Sequence, residues 1–101
     1  MVKIIWTNRA FAQLERTINY IKEERGVSYA SIVLDKIIKS TSLLSDHPQL
    51  GPHEPLLKHK KSEYRFLVAF AYKIIYRVEE DKVVISRVFH TSQNPEKMKG
   101  V

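Results

Sequence analysis

At 101 residues and 44% hydrophobic, the chain predicts one domain over residues 1–101, with a thin core and room for two helices and a small sheet. It contains no cysteine, which excludes a disulfide framework and thiolate chemistry. Seventeen Lys and Arg against eleven Asp and Glu give a net charge of +6, a balance that favours an anionic partner: nucleic acid, the ribosome or an acidic protein.

The opening MVKIIWTNRAF has an apolar run too short for a signal-peptide core, and nothing further on approaches a membrane span, so the expected location is the cytoplasm. VKIIW (2–6), rich in β-branched residues, predicts a first strand. Thr7 is placed to cap a helix by accepting from N–H groups two or three residues on. Phe11, Leu14, Ile18 and Ile21 form one apolar stripe on a helix from about 8 to 25. Gly26 supplies the positive φ that ends it. Ser28 is the expected cap of a second helix, with Ala30, Val33, Leu34, Ile37, Ile38, Thr41 and Leu44 as its apolar face. His47-Pro48 closes that helix, because the proline ring disfavours helical geometry in the residue before it. The two helices form an antiparallel hairpin.

HPQLGPHEP (47–55) reads as a loop, and LKHKK (57–61) as a solvated basic one. Beyond them the hydrophobic period changes to two. Residues 62–68, 72–78 and 83–90 predict three strands in an antiparallel meander, and the tail TSQNPEKMKGV reads as polar and irregular. A three-residue loop at 69–71 sets Phe66 opposite Ile74, and Val78 opposite Val83 sets Tyr72 opposite Phe89. On that register Tyr64, Phe66, Val68, Tyr72, Ile74, Tyr76, Val78, Val83, Ile85 and Phe89 face the helices. The other face gathers Arg65, Lys73, Arg77, Ser86 and His90 around Leu67, Ile75, Val84 and Val88. A face so apolar and so cationic suits a partner, and its binding residues are expected to be Arg65, Leu67, Lys73, Ile75, Arg77, Ser86, Val88 and His90. Arg87 is the misfit, falling on the helix side.

The chemistry on offer is narrow. The histidines, His47, His53, His59 and His90, form no close-spaced pair, so no metal or other cofactor is expected. No Gly-rich phosphate loop and no nucleophile elbow occur. A metal-free nuclease would need a proton acceptor, a proton donor and cations for developing phosphorane charge. His90 could be acid or base, Glu54 or Glu63 a base, and Arg65, Lys73 and Arg77 charge stabilisers. The plainer alternative is a strand-end histidine bonded to backbone, with arginines in ordinary salt bridges.

In this order, the "HPQLG" at 47–51, Arg65 at the head of the first meander strand, "YKIIYRVE" at 72–79 and "VFHTSQNP" at 88–95 resemble the RelE/ParE superfamily of toxins from type II toxin–antitoxin systems. The resemblance covers about residues 3–98. It implies an α+β fold of order βααβββ, with a helical hairpin on a small antiparallel sheet. It implies a cognate antitoxin whose segment, often acidic, covers the sheet face or hairpin, and a homodimer or hetero-oligomer is compatible with it. The superfamily holds two activities. ParE-like members poison DNA gyrase and block replication, whereas RelE-like members cut mRNA on the ribosome. The loop and the ending look ParE-like, and no tyrosine follows Phe89. Gyrase inhibition is therefore the expected function. A ribosome-dependent ribonuclease with Arg65 and His90 as its catalytic pair is the alternative, and a non-toxic binding module the third.

Overall fold

A computed structural model of the protein describes residues 1–93, 98, 100 and 101. Strand β1 (Lys3–Trp6) leads into α1 (Asn8–Arg25) and α2 (Val27–Ser42). A 3₁₀ turn at Leu43–Ser45 and another at Pro55–Leu57 precede β2 (Glu63–Ala69), β3 (Tyr72–Val78) and β4 (Lys82–His90). The sheet order is β1-β4-β3-β2. The meander is antiparallel as expected, but β1 runs parallel to β4, so the sheet is mixed rather than wholly antiparallel. The helical hairpin is what allows this, since parallel neighbours need a crossover long enough to return the chain to the same end of the sheet.

Thr7 caps α1 as its sequence position suggests, its hydroxyl accepting from the Ala10 N–H at 3.0 Å. The Thr7 N–H donates to Ile85 C=O at 3.0 Å, so one residue ends β1, starts α1 and ties both to β4. Ser28 does not cap α2. Gly26 alone links the helices at φ 93°, and its N–H donates to Lys22 C=O, so α2 begins at Val27 with no side-chain cap. The buried stripe of α1 is Ala10, Leu14 and Ile21, with Ile18 packed beside it. Phe11 lies one position off that line and is 56% exposed. In α2 the buried residues are Ala30, Val33, Ile37 and Thr41, while Ile38 is exposed. α2 ends at Ser42, before His47-Pro48, and Leu44 is buried from the 3₁₀ turn that follows.

Two registers differ from expectation, and both move side chains between faces. The β2–β3 turn has two residues, Phe70 and Ala71, rather than three, so Ala69 pairs with Tyr72 and Leu67, not Phe66, lies opposite Ile74. In β4 the pairing jumps from Ile75↔Arg87 to Tyr76↔Ile85, leaving Ser86 as the extra residue of a β-bulge. Val78↔Val83 holds, but beyond the bulge every β4 residue is displaced by one, and Tyr72 faces His90.

The helix-facing core is therefore Leu67, Ala69, Tyr72, Ile74, Tyr76, Val78, Val83, Ile85 and Val88 under α1 and α2. Tyr64, Phe66 and Phe89, expected on that wall, instead join Leu57, Ile75 and Met98 in a second, smaller cluster on the opposite face. Val68 is also displaced, standing 53% exposed on that side. The expectation of an irregular tail at 94–97 and 99 lies outside the described residues.

Candidate functional site

The residues expected to form one cationic face are divided by the two registers. Lys73, Ile75 and Arg77 stay on the side away from the helices, whereas Arg65, Leu67, Val88 and His90 turn toward the helix side. Ile75, Ser86 and Val88 are buried to within 2% of full enclosure, so a partner has no access to them. The reason is that both faces of the sheet centre are covered, one by the helical hairpin and the other by Leu57, Tyr64, Phe89 and Met98.

Each of the three cations Arg65, Lys73 and Arg77 already has an anionic neighbour. Lys73 pairs with Glu54, a carboxylate only 1% exposed. Oε1 of Glu54 meets the ammonium as a charge contact rather than a well-directed hydrogen bond, and Oε2 accepts the Leu56 N–H at 3.0 Å. The Lys73 ammonium also lies 4.3 Å from the centre of the Phe66 ring. A carboxylate so enclosed is tolerable only while its cation stays in place. Arg77 bonds Glu79 through Nε at 2.6 Å. Burial acts to lower the Arg77 pKa, but hydrogen bonds with Tyr64 and Glu79 outweigh it and hold the guanidinium above its usual value.

Arg65 is a clamp. Its Nε donates to Glu63 at 2.5 Å and its Nη1 to Gly51 C=O at 2.7 Å, with a longer bond to Gln49 C=O. The same loop is held from inside by the fully buried Tyr76, whose hydroxyl accepts the Gly51 N–H at 2.9 Å. Burial pushes the Tyr76 phenol above its ordinary 10.0, partly offset by that N–H. Gly51 is required here, since a Cβ would stand 2.0 Å from Phe66 C=O. The loop then runs on beside β2, with Phe66 N–H donating to Pro52 C=O and Glu54 N–H to Tyr64 C=O. "HPQLG" is thus a docking device, clamped by Arg65 and Tyr76, and residues 52–54 that follow it pair with the β2 edge.

His90 ends β4 in a different neighbourhood. Its ring meets Tyr72 edge-on at 5.4 Å. Nδ1 accepts from the Ser92 N–H at 3.0 Å, with Ser92 Oγ 2.7 Å away, so in the neutral ring the proton sits on Nε2. Arg65 lies opposite Tyr76 and His90 opposite Tyr72, which sets the two about 16 Å apart from strand rise and spacing. They do not share a site.

His90 opens instead onto a groove between α1, the β2–β3 turn and the end of β4, which the periodicity of single segments did not bring together. One cavity of about 580 Å³ is lined by Arg16, Tyr20, Tyr72, His90 and their polar neighbours Gln13 and Ser92. A second, of about 470 Å³, adjoins it through Tyr20, Tyr72 and His90 and adds Arg25, Tyr29 and Phe70. Among the described residues no group of three or more His, Asp or Glu side chains is placed to hold a metal ion, and no helix is long and apolar enough to cross a membrane.

A family model described as "ParE toxin of type II toxin-antitoxin system, parDE" matches residues 4–95. Among solved structures, the chain is similar to one from the chromosomal ParDE TA system of P. aeruginosa, with a TM-score of 0.73 at 20% sequence identity, covering 89% of this chain and 96% of that one. At that identity the likeness speaks for the fold. A search of curated proteins returned no match.

Proposed function

The chain belongs to the family of ParE toxins of type II toxin–antitoxin systems, and from that premise we propose that it inhibits DNA gyrase and is neutralised by a cognate antitoxin with an acidic segment. The observation that favours this over RNA cleavage is the separation of Arg65 from His90. A metal-free ribonuclease needs its proton-transfer group and its charge-stabilising cations around one phosphate. Here Arg65 is engaged by Glu63 and the Gly51 loop, about 16 Å from His90. Lys73 and Arg77 are engaged by Glu54 and Glu79.

The net charge of +6 supports an acidic antitoxin segment through charge complementarity. The purified protein should suppress supercoiling by gyrase, and addition of the antitoxin should restore it. Undiminished supercoiling at large toxin excess would overturn the reading. One observation favours ribosome-dependent cleavage as a second reading: His90 lines an open groove, and Ser92 engages only its Nδ1. Under the gyrase reading His90→Ala leaves translated messages intact, as in the unsubstituted toxin; cuts that disappear with His90→Ala would favour the nuclease.

A further inference from the structure

We propose that the groove between α1, the β2–β3 turn and the end of β4 binds a short stretch of single-stranded DNA, by base stacking and phosphate pairing. Nothing in the family match assigns a role to this groove. The choice of DNA over RNA rests on the gyrase reading above; the rest stands on the geometry.

The first argument is where available charge lies. On the sheet the cations Arg65, Lys73 and Arg77 are each in an ion pair. Among the described residues neither Arg16 nor Arg25 is in one. They line the two cavities separately, Arg16 the larger and Arg25 the smaller. Arg25 is held in place by stacking 4.5 Å above the Tyr29 ring, which orients the guanidinium without neutralising it. Glu24 also lines the smaller cavity, but Arg16 and Arg25 together outnumber it, a balance that suits a ligand with negative charge.

The second argument is what lies between them. Tyr20, Tyr72 and His90 are shared by both cavities, and Tyr29 and Phe70 close the far end. Tyr20 is 63% exposed and Phe70 49%, so these rings are presented rather than packed away. Two exposed rings, with the partly buried Tyr29, Tyr72 and His90 between them and arginines beside them, form an arrangement that takes unpaired bases, since every base has a face to stack. An apolar peptide would leave both arginines unanswered. Duplex DNA would keep its base faces stacked on one another and out of reach.

The third argument is backbone strain. Phe70 sits at φ 55° in the two-residue turn, a position where glycine is the usual choice. A phenylalanine held there, edge-on to Tyr29 at 6.4 Å, is maintained against its own backbone preference. Such outliers gather at ligand sites. The strain also supplies a clean variant, because Phe70→Gly relieves the turn while removing the ring.

The test is fluorescence anisotropy of a labelled short oligothymidylate with the purified full chain, over a range of salt and with no gyrase present. The unsubstituted protein should bind, with affinity falling as salt rises. Arg16→Ala should lower the steepness of the log–log salt plot by about 0.7, one phosphate contact on a single strand. Tyr20→Ala and Phe70→Gly should weaken binding about ten-fold, the loss of one stacked base. A Lys60→Ala, Lys61→Ala control in the exposed basic loop should bind as the unsubstituted protein does.

The proposal is overturned if no binding occurs at low salt, or if duplex DNA or polyglutamate binds as tightly. It is also overturned if the loop control weakens binding as much as the groove variants. Oligouridylate binding as tightly would overturn the commitment to DNA. A protein that inhibits gyrase but ignores the oligonucleotide would sink this inference and leave the proposed target standing; the reverse outcome would sink only the target.

Discussion

Glu54 and Lys73 show how a single residue can be misjudged from its neighbours in the chain. Lys73 alternates with Tyr72 and Ile74 and so reads as a surface cation, while Glu54 sits among prolines and reads as loop. Folding places them against each other, with the carboxylate enclosed and the ammonium beside the Phe66 ring. Removing only the cation strands a buried charge, so Lys73→Met should destabilise the protein by about 3 kcal/mol. Adding Glu54→Gln should recover much of that loss, giving a strongly non-additive cycle in urea unfolding. Additive losses would show that the pair does not stabilise the fold. Gly51 makes a sharper case. Gly51→Ala forces a methyl group against Phe66 C=O, which is backbone and has little room to yield. A loss of about 3 kcal/mol is expected, against about 1–2 kcal/mol for Tyr76→Phe, which only unpairs the Gly51 N–H. Thermal unfolding orders the two, and Tyr76→Phe being the worse would contradict the steric argument.

Elements were legible in the sequence wherever one periodicity ran uninterrupted. Both helices, all four strands and the Thr7 cap follow from apolar spacing and capping chemistry. What escaped was anything decided by one inserted or missing residue. A two-residue turn in place of three reversed the faces of β2, and the bulge at Ser86 reversed the end of β4. The misfit of Arg87 on an otherwise apolar wall was a usable sign of that bulge, because an extra residue just before it sends its side chain to the other face. Both errors fall at ladder irregularities, where alternation carries no information about register. The candidate site inherited them: Lys73, Ile75 and Arg77 lie together on the side away from the helices, but Arg65 and His90, expected beside them, both turn to the helix side and stand about 16 Å apart there. The groove was not legible because its walls come from α1, the start of α2, the β2–β3 turn and the end of β4, brought together only by packing. The helix junction is a separate test at this scale. A methyl at Gly26 would meet nothing within 4 Å, so Gly26→Ala carries only the strain of φ 93°. With ψ at 165° this backbone region is nearly reserved for glycine, so about 2–3 kcal/mol should be lost in chemical denaturation, with the helix content unchanged. A much larger loss would mean that the junction is packed more tightly than its geometry indicates.

At the scale of the whole molecule, the fold separates structural charge from available charge. Sheet cations and their carboxylates lock a loop, a strand edge and a second small core, while among the described residues Arg16 and Arg25 of α1 are in no ion pair and line the groove beside the exposed rings of Tyr20 and Phe70. Under that division Arg65 belongs to the structural charge, clamped to Glu63 and the Gly51 loop, while His90 lines the groove about 16 Å away. The most direct measurement is inducible expression in a bacterial host, reading translated messages by primer extension and DNA by nucleoid staining and damage response. Intact messages in filamentous cells with a DNA-damage response, reversed by the antitoxin, is the result expected of a gyrase inhibitor. Codon-positioned cuts in translated messages with undamaged DNA would contradict it.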